Sequence, residues 1–389
     1  MKVLLTNTSL AHRTGTELYV VELARALRGR GHAPIAYSPV LGAVAEELRA
    51  AGVPVVDDLA AVAEPPDLVH GQHHLETLTA LLHFPGVPGI FVCHGALPWE
   101  EHPPRFPRLL RYVAVDEPTR ERITAGAGVA AERVETILNF VDLGRFQPRP
   151  PLPPRPLRAL VFSNNASEKT HLPAVRQACS EARIAVDAAG IACGAPAACP
   201  EELLPAYDLV FAKGRAALEA MAVGAAVVLC DAEGCGPLVT AGEIDRLRPL
   251  NFGMRTLREP LSTGALAREI ARYDPDDAGA VSRRIRAEAG LELAVDRYLR
   301  LYDQVLAEHA RVRAGADPLD ALGAVVEEER AAAAYLAWLG PFLRERGRLL
   351  IDRDELWRRV RQLGDELAAS RRGREAGDGD DNAMSAPQE

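Results

Sequence analysis

The sequence predicts an α/β protein of two lobes, each a parallel sheet flanked by helices, followed by a helical C-terminal extension. Three observations carry that expectation. Between Tyr207 and Thr240 the chain reads YDLVFAKGRAALEAMAVGAAVVLCDAEGCGPLVT, in which two short apolar runs enclose a run of strong helix formers. The chain also opens with strand, polar loop, helix and strand, in that order. Between these regions stand prolines 148, 150, 151, 153, 154 and 156, a density that neither a helix nor a central strand tolerates.

In the first lobe, expected over residues 1–147, Lys2–Thr6 is a short apolar strand. Residues 7–15 form a polar loop, and Thr16–Arg28 is a helix with Leu18, Val21, Leu23 and Leu27 on its apolar positions. Gly31 closes it, and Pro34–Tyr37 is the next strand, a Rossmann-like beginning. No G-x-G-x-x-G follows, so a dinucleotide is not signalled. Two further strands end in His-Gly, at His70-Gly71 and His94-Gly95. A histidine at a strand end can bind a phosphate or move a proton, whereas His73 and His74 read as structural. Arg111–Asp116 is a strand, Glu117–Ala125 a short helix, and Asn139 and Asp142 are turn-stabilising residues.

The proline run 148–156 is a semi-rigid spacer. The second lobe, 157–290, starts with a strand at Leu157–Phe162 and a polar loop, Ser163–Thr170. A helix over Leu172–Arg183 and a weak strand near Ile191 follow. Leu209–Ala212 is a buried strand, and the next helix ends at Gly224, as a C-terminal glycine should. Ala226–Cys230 is a strand, and Gly236-Pro237 is expected to open another helix.

The sharpest chemistry lies at Lys213-Gly214-Arg215. A helix start presents unpaired N–H groups and a partial positive charge. Two cationic side chains flank that start here, and such a corner suits a phosphate or diphosphate. Glu219 lies one turn after Arg215 on the same face, where a carboxylate can accept hydrogen bonds from sugar hydroxyls. The alternative is an exposed Arg215–Glu219 ion pair worth little. The residues alone leave both readings open.

This stretch resembles the donor-site motif of family 4 glycosyltransferases of the GT-B fold, in which an acid is followed by seven residues, Glu, Ala and a later Gly. Gly214, Glu219, Ala220 and Gly224 fall on the pattern, while its first acidic position holds Phe211. Residues 134–146 resemble the last strand and turn of the family's first domain, and Thr14–Glu17 its glycine loop. The resemblance covers about residues 1–312. It implies two Rossmann-like domains facing across a cleft, and transfer of a sugar from a nucleotide-diphosphate sugar to an acceptor the sequence does not identify. It also implies retention of anomeric configuration and no metal or other cofactor. Lys169, Lys213 and Arg215 would stabilise the leaving diphosphate, and Gly214 with the Gly236-Pro237-Leu238 amides would bind it. Glu219 would hold the ribose, with Glu219, Lys213 and His94 as the candidate catalytic residues. His94, Gly15 and Thr16 would border the reacting sugar. The rival readings are a non-catalytic sugar-nucleotide-binding or scaffold protein, and a sugar-nucleotide epimerase or hydrolase of the same fold.

Composition sets wider bounds. A net charge of −9 argues against a general nucleic-acid binder. No stretch approaches the ~20 apolar residues that span a bilayer. The six cysteines show no C-x-x-C pair, so buried reduced thiols in a cytoplasmic protein are expected. A helix over Leu293–Val312 carries Tyr298, Leu301, Tyr302, Val305 and Leu306 on one face, and the resemblance implies that it closes the chain within 291–314 by crossing back onto the first lobe. Helices over 315–370, with a seam at Leu356, Val360, Leu363 and Leu367, suit docking on the body or on a second subunit or partner. Residues 371–389 read as a disordered tail. In the acceptor-side loop Ala96–Pro107, Trp99 either stacks on a sugar ring or caps the core.

Overall fold

The computed structural model describes residues 1–315, 320 and 323–341. The chain divides into two compact units, Met1–Leu322 and Gly323–Glu389. In the second, residues 323–341 are helical. The expected seam at 356–367 and the expected tail at 371–389 lie outside the described residues.

The first lobe begins with β1 (Lys2–Thr6), α1 (Gly15–Gly29), β2 (Ala33–Tyr37), α2 (Ala43–Ala50) and β3 (Val55–Val56). It continues with β4 (Leu68–Gln72), α3 (His74–His83), β5 (Gly89–Cys93), β6 (Leu109–Ala114), α4 (Glu117–Glu121) and β7 (Val134–Thr136). The strands pair in the order β3-β2-β1-β4-β5-β6-β7, all parallel. Chain direction across the sheet reverses between β1 and β4, so the crevice of this lobe opens at the ends of those two strands.

The second lobe begins with β8 (Arg158–Phe162), α5 (Leu172–Glu181), β9 (Ala185–Ala189), α6 (Pro200–Leu203), β10 (Leu209–Ala212) and α7 (Gly214–Val223). Then come β11 (Ala226–Asp231), β12 (Gly234–Leu238), α8 (Ile244–Leu247), α9 (Thr263–Ile270) and α10 (Pro275–Glu288). The order is β12-β11-β10-β8-β9, parallel except for β12. The switch falls between β8 and β10, whose carboxyl ends lead into the Ser163–Thr170 loop and the Lys213 corner. Sheet topology alone therefore puts these two segments at one crevice.

Both sheets are buried from both sides, as continuous apolar runs require. In the first lobe, Val3, Leu5, Ile90 and Val92 pack under α1. The long helix α11 (Leu291–Gly315) adds Tyr298, Leu301, Tyr302 and Val305 to that same core. Each large apolar side chain so buried contributes ~1.5–3 kcal/mol. In the second lobe, α7 lies against β10 and β11 and stops at Gly224, whose φ of +102° is the left-handed cap foreseen there. Asp142 accepts from the amides of Gly144 and Arg145, at 2.9 and 3.2 Å, and holds the turn after β7.

Three local expectations are corrected. The strand expected near Ile191 is β9, two residues earlier, and Ile191 itself is exposed. The helix expected from Gly236-Pro237 does not form: the segment is β12, antiparallel to β11 across the two-residue turn Ala232-Glu233. Proline lacks an N–H and is tolerated in an edge strand. Gly236 is needed for a close approach rather than a helix start, since a Cβ there would lie 2.6 Å from the Thr256 carbonyl oxygen. Finally, Cys199 is exposed and Cys193 half-buried, so the reduced thiols are not all interior.

Candidate functional site

Lys213 leaves β10 in an extended conformation and Gly214 turns the chain into α7 with φ +58°, a left-handed value that favours glycine. Nothing stands within 4 Å of where its Cβ would be, so backbone conformation, not crowding, selects glycine. At this corner the groups expected to hold an anion are engaged within the chain. The Gly214 amide donates to the Phe252 carbonyl at 2.8 Å. Arg215 donates through Nε to Glu219 at 2.7 Å and through Nη2 to Glu22 of α1, across the seam between lobes. Lys213 pairs with Asp231 at 2.6 Å and reaches Glu233 at 3.4 Å.

Arg215 and its partners form a buried set. Glu22 and Glu219 are 2% and 5% exposed. Arg145 joins them, 3.4 Å from Glu22 and 2.8 Å from Glu201. Burial disfavours the Arg215 cation, yet Glu22 and Glu219 together hold its pKa above the ordinary value. Glu219 shows the opposite pressure: burial raises its pKa, Arg215 offsets only part of that, and the nearby Glu22 charge adds to it. Two carboxylates share one guanidinium. Glu219, expected to hold a ribose, accepts from Arg215 here, and the pair is interior rather than exposed, so the exposed-pair alternative fails.

The Ser163–Thr170 loop meets the same corner through Asp231, the last residue of β11. That carboxylate is fully buried and accepts from Ser163 Oγ at 2.8 Å and Asn165 Nδ2 at 3.1 Å. Burial opposes its charge, but Lys213 and Ser163 hold its pKa below the ordinary 3.8. His171 Nδ1 lies 3.8 Å away, and burial lowers that imidazole's pKa. Sequence reasoning missed Asp231 and Glu22. A carboxylate closing an otherwise apolar strand was the available signal for Asp231. Glu22 gave none beyond an acid among the buried positions of α1. Phe211, at the acidic position of the resembled pattern, is fully buried in β10. Asp231 is the acid that stands at this sheet edge, one strand over. Lys169 is exposed on the loop. Gly236, Pro237 and Leu238, being strand, offer no helix start, and the Leu238 amide donates to Glu269 at 2.7 Å.

On the first lobe, Gly15 and Thr16 open α1, and Thr16 Oγ1 donates to Glu17 at 3.2 Å. The His94 amide donates to Glu101 Oε2 at 2.8 Å. Its ring sits edge-on to Tyr19, 4.6 Å between centroids, with Nε2 sealed from solvent. Burial drops its pKa to about 4, so the imidazole is neutral at physiological pH. His73 faces the other Glu101 oxygen at 3.5 Å; burial works against its charge, and Glu101 raises its pKa above the ordinary value. His73 adopts φ +58°. Trp99 is partly exposed and edge-on to His74. No hydrogen bond among the described residues joins His94, Gly15 or Thr16 to the Lys213 corner. Contacts that cross the seam include Glu22–Arg215, Arg145–Glu201, Glu121–Arg255 and the Arg248–Gly253 loop. In that loop Asn251 Nδ2 donates to the Val115 carbonyl at 2.6 Å and Arg248 donates to the Asn139 carbonyl.

Two α/β lobes, both with switch points at their carboxyl edges and a closing helix returning to the first, define the GT-B architecture. The comparisons agree with that class. Residues 13–145 match the family model described as Glycosyltransferase Family 4. The structure is similar to a glycosyltransferase from Rickettsia africae, with TM-score 0.59 and 16% identity over 78% of this chain and 98% of that one. It is also similar to Alr3699/HepE from Anabaena in complex with UDP and glucose, with TM-score 0.55 and 16% identity over 78% and 99% of the two chains. No curated protein matches the chain in sequence.

Proposed function

We propose that this protein is a glycosyltransferase that moves a sugar from a nucleotide-diphosphate sugar to an acceptor hydroxyl. The observation that carries the reading is the Lys213-Gly214-Arg215 corner: a helix start with two flanking cations, at the switch point of one lobe and against the other lobe. The cations Lys213 and Arg215, with Lys169 on the facing loop, suit neutralisation of a departing diphosphate without a metal ion, and the Gly214 amide adds a donor. Neutral His94 and the Gly15–Thr16 loop belong at the sugar. The reaction in this reading retains the anomeric configuration. Because the Anabaena protein holds UDP and glucose, UDP-sugars are the first donors to try.

A second reading has a specific observation in its favour. Phe211 leaves β10 without the acid of the resembled motif, and Glu219 is committed to Arg215, which favours a protein that binds a sugar nucleotide without turning it over. Release of nucleoside diphosphate from UDP-, GDP-, ADP- and dTDP-sugars, with and without saccharide acceptors, separates the two. Acceptor-dependent release supports the transferase, release in water alone a hydrolase, and binding without release the non-catalytic protein.

A further inference from the structure

The donor corner is closed by groups that belong to, or are pinned by, the first lobe. Arg215 is held by Glu22, which comes from α1 on the opposite side of the seam. Only one oxygen of Glu22 is used: Oε2 is sealed from solvent and has no hydrogen-bond partner among the described residues. Around it, Glu22, Glu201 and Glu219 stand against Arg145 and Arg215, three carboxylates to two guanidiniums in this cluster. This set is not arranged for maximum stability, because a sealed carboxylate oxygen without a donor is costly.

The Gly214 amide is closed in parallel. Its acceptor, the Phe252 carbonyl, is presented by two consecutive non-glycine residues in the left-handed region, Asn251 and Phe252, both at φ +52°. Such a conformation persists only where its surroundings impose it. Here the surroundings are the first lobe, which Asn251 grips through the Val115 carbonyl and Arg248 through the Asn139 carbonyl. Carboxylate and phosphate oxygens are interchangeable partners for a guanidinium, and a carbonyl can occupy an amide that would otherwise meet an anion.

We propose that the first lobe occludes the donor corner, with Glu22 and the Phe252 carbonyl occupying the positions of diphosphate oxygens, so that a nucleoside diphosphate binds by displacing Glu22 from Arg215. The inference rests on the donor reading given above. Affinity is then set by the fraction of molecules in which the corner is free, and weakening either closure raises it.

The test is calorimetric titration of the full chain at neutral pH with UDP, GDP, ADP and dTDP, using wild type, Glu22→Gln and Asn251→Ala. Glutamine keeps the shape of Glu22 and removes its charge, while Asn251→Ala removes the loop's grip on Val115. Thermal melts confirm that each variant is folded, and either alone suffices for the test. Both variants are expected to bind the wild-type ligand about tenfold more tightly. Wild-type binding with unchanged or weaker binding by the folded variants overturns the occlusion and leaves the donor reading standing. Absence of binding by all three proteins overturns the donor reading and the occlusion with it.

Discussion

Replacing Lys213 with methionine tests how the corner is built. The stem is kept and the cation is lost, which leaves the fully buried Asp231 with two neutral donors, Ser163 and Asn165. Removing one partner of a buried ion pair costs about 3–5 kcal/mol. Lys213 is 24% exposed and so already partly in water, and the neutral donors remain. A loss of about 2–3 kcal/mol is therefore expected. The acid side fixes the mechanism. Asp231 has a folded pKa below its ordinary value, so its stabilisation is present above that ordinary value and lost as the pH falls through the folded one. Lys213→Met takes away that cation, so the difference between variant and wild type should shrink as the pH falls below the ordinary 3.8. Urea unfolding followed by circular dichroism, at neutral and at acid pH, measures both quantities. A loss under about 0.5 kcal/mol, the range of an ordinary surface substitution, would mean that Lys213 does not hold Asp231 in the fold. So would a difference that stays constant with pH.

Other consequences follow from the buried groups. Arg215→Ala leaves Glu22 and Glu219 facing one another and should cost about 3–5 kcal/mol. Adding Glu22→Gln to that variant should restore part of it, a coupling of about 1–3 kcal/mol in a double-mutant cycle of urea midpoints. His70, fully buried with Nδ1 2.6 Å from the Tyr302 hydroxyl, has its pKa lowered by burial to about 3. Its neutral form is bound up with the fold, so the associated stability is present above the ordinary 6.5 and is lost as the pH falls towards about 3. The slope is about 1.4 kcal/mol per pH unit, and His70→Gln should flatten the acid side of the stability profile.

Much of the fold was legible because parallel strands buried on both faces are continuous apolar runs. β1, β5, β10 and β11 announce themselves in that way, and Gly224 announces the end of α7. The Gly236-Pro237 helix was misread because proline after glycine suits both a helix start and an edge strand. The choice between them was made by the close approach of Thr256 to Gly236, which is a tertiary fact. The site divides along the same line. The Lys213-Gly214-Arg215 corner was readable from local spacing. Its partners were not: Glu22 lies 193 residues from Arg215, and Phe252 and Asp231 meet the corner only once the sheets are formed. Local sequence shows which groups could hold an anion but not which internal groups already occupy them.

In the reading proposed above, the Lys213 corner grips the two phosphoryl groups of an activated sugar. The most direct measurement compares equilibrium binding of a nucleoside diphosphate with that of the corresponding monophosphate, in wild type and in Lys213→Ala. The account predicts at least about a tenfold preference of wild type for the diphosphate, as a charge-assisted contact to the added phosphoryl group supplies, and its disappearance in the variant. Equal binding of the two nucleotides by wild type, or a preference that survives the loss of Lys213, contradicts it.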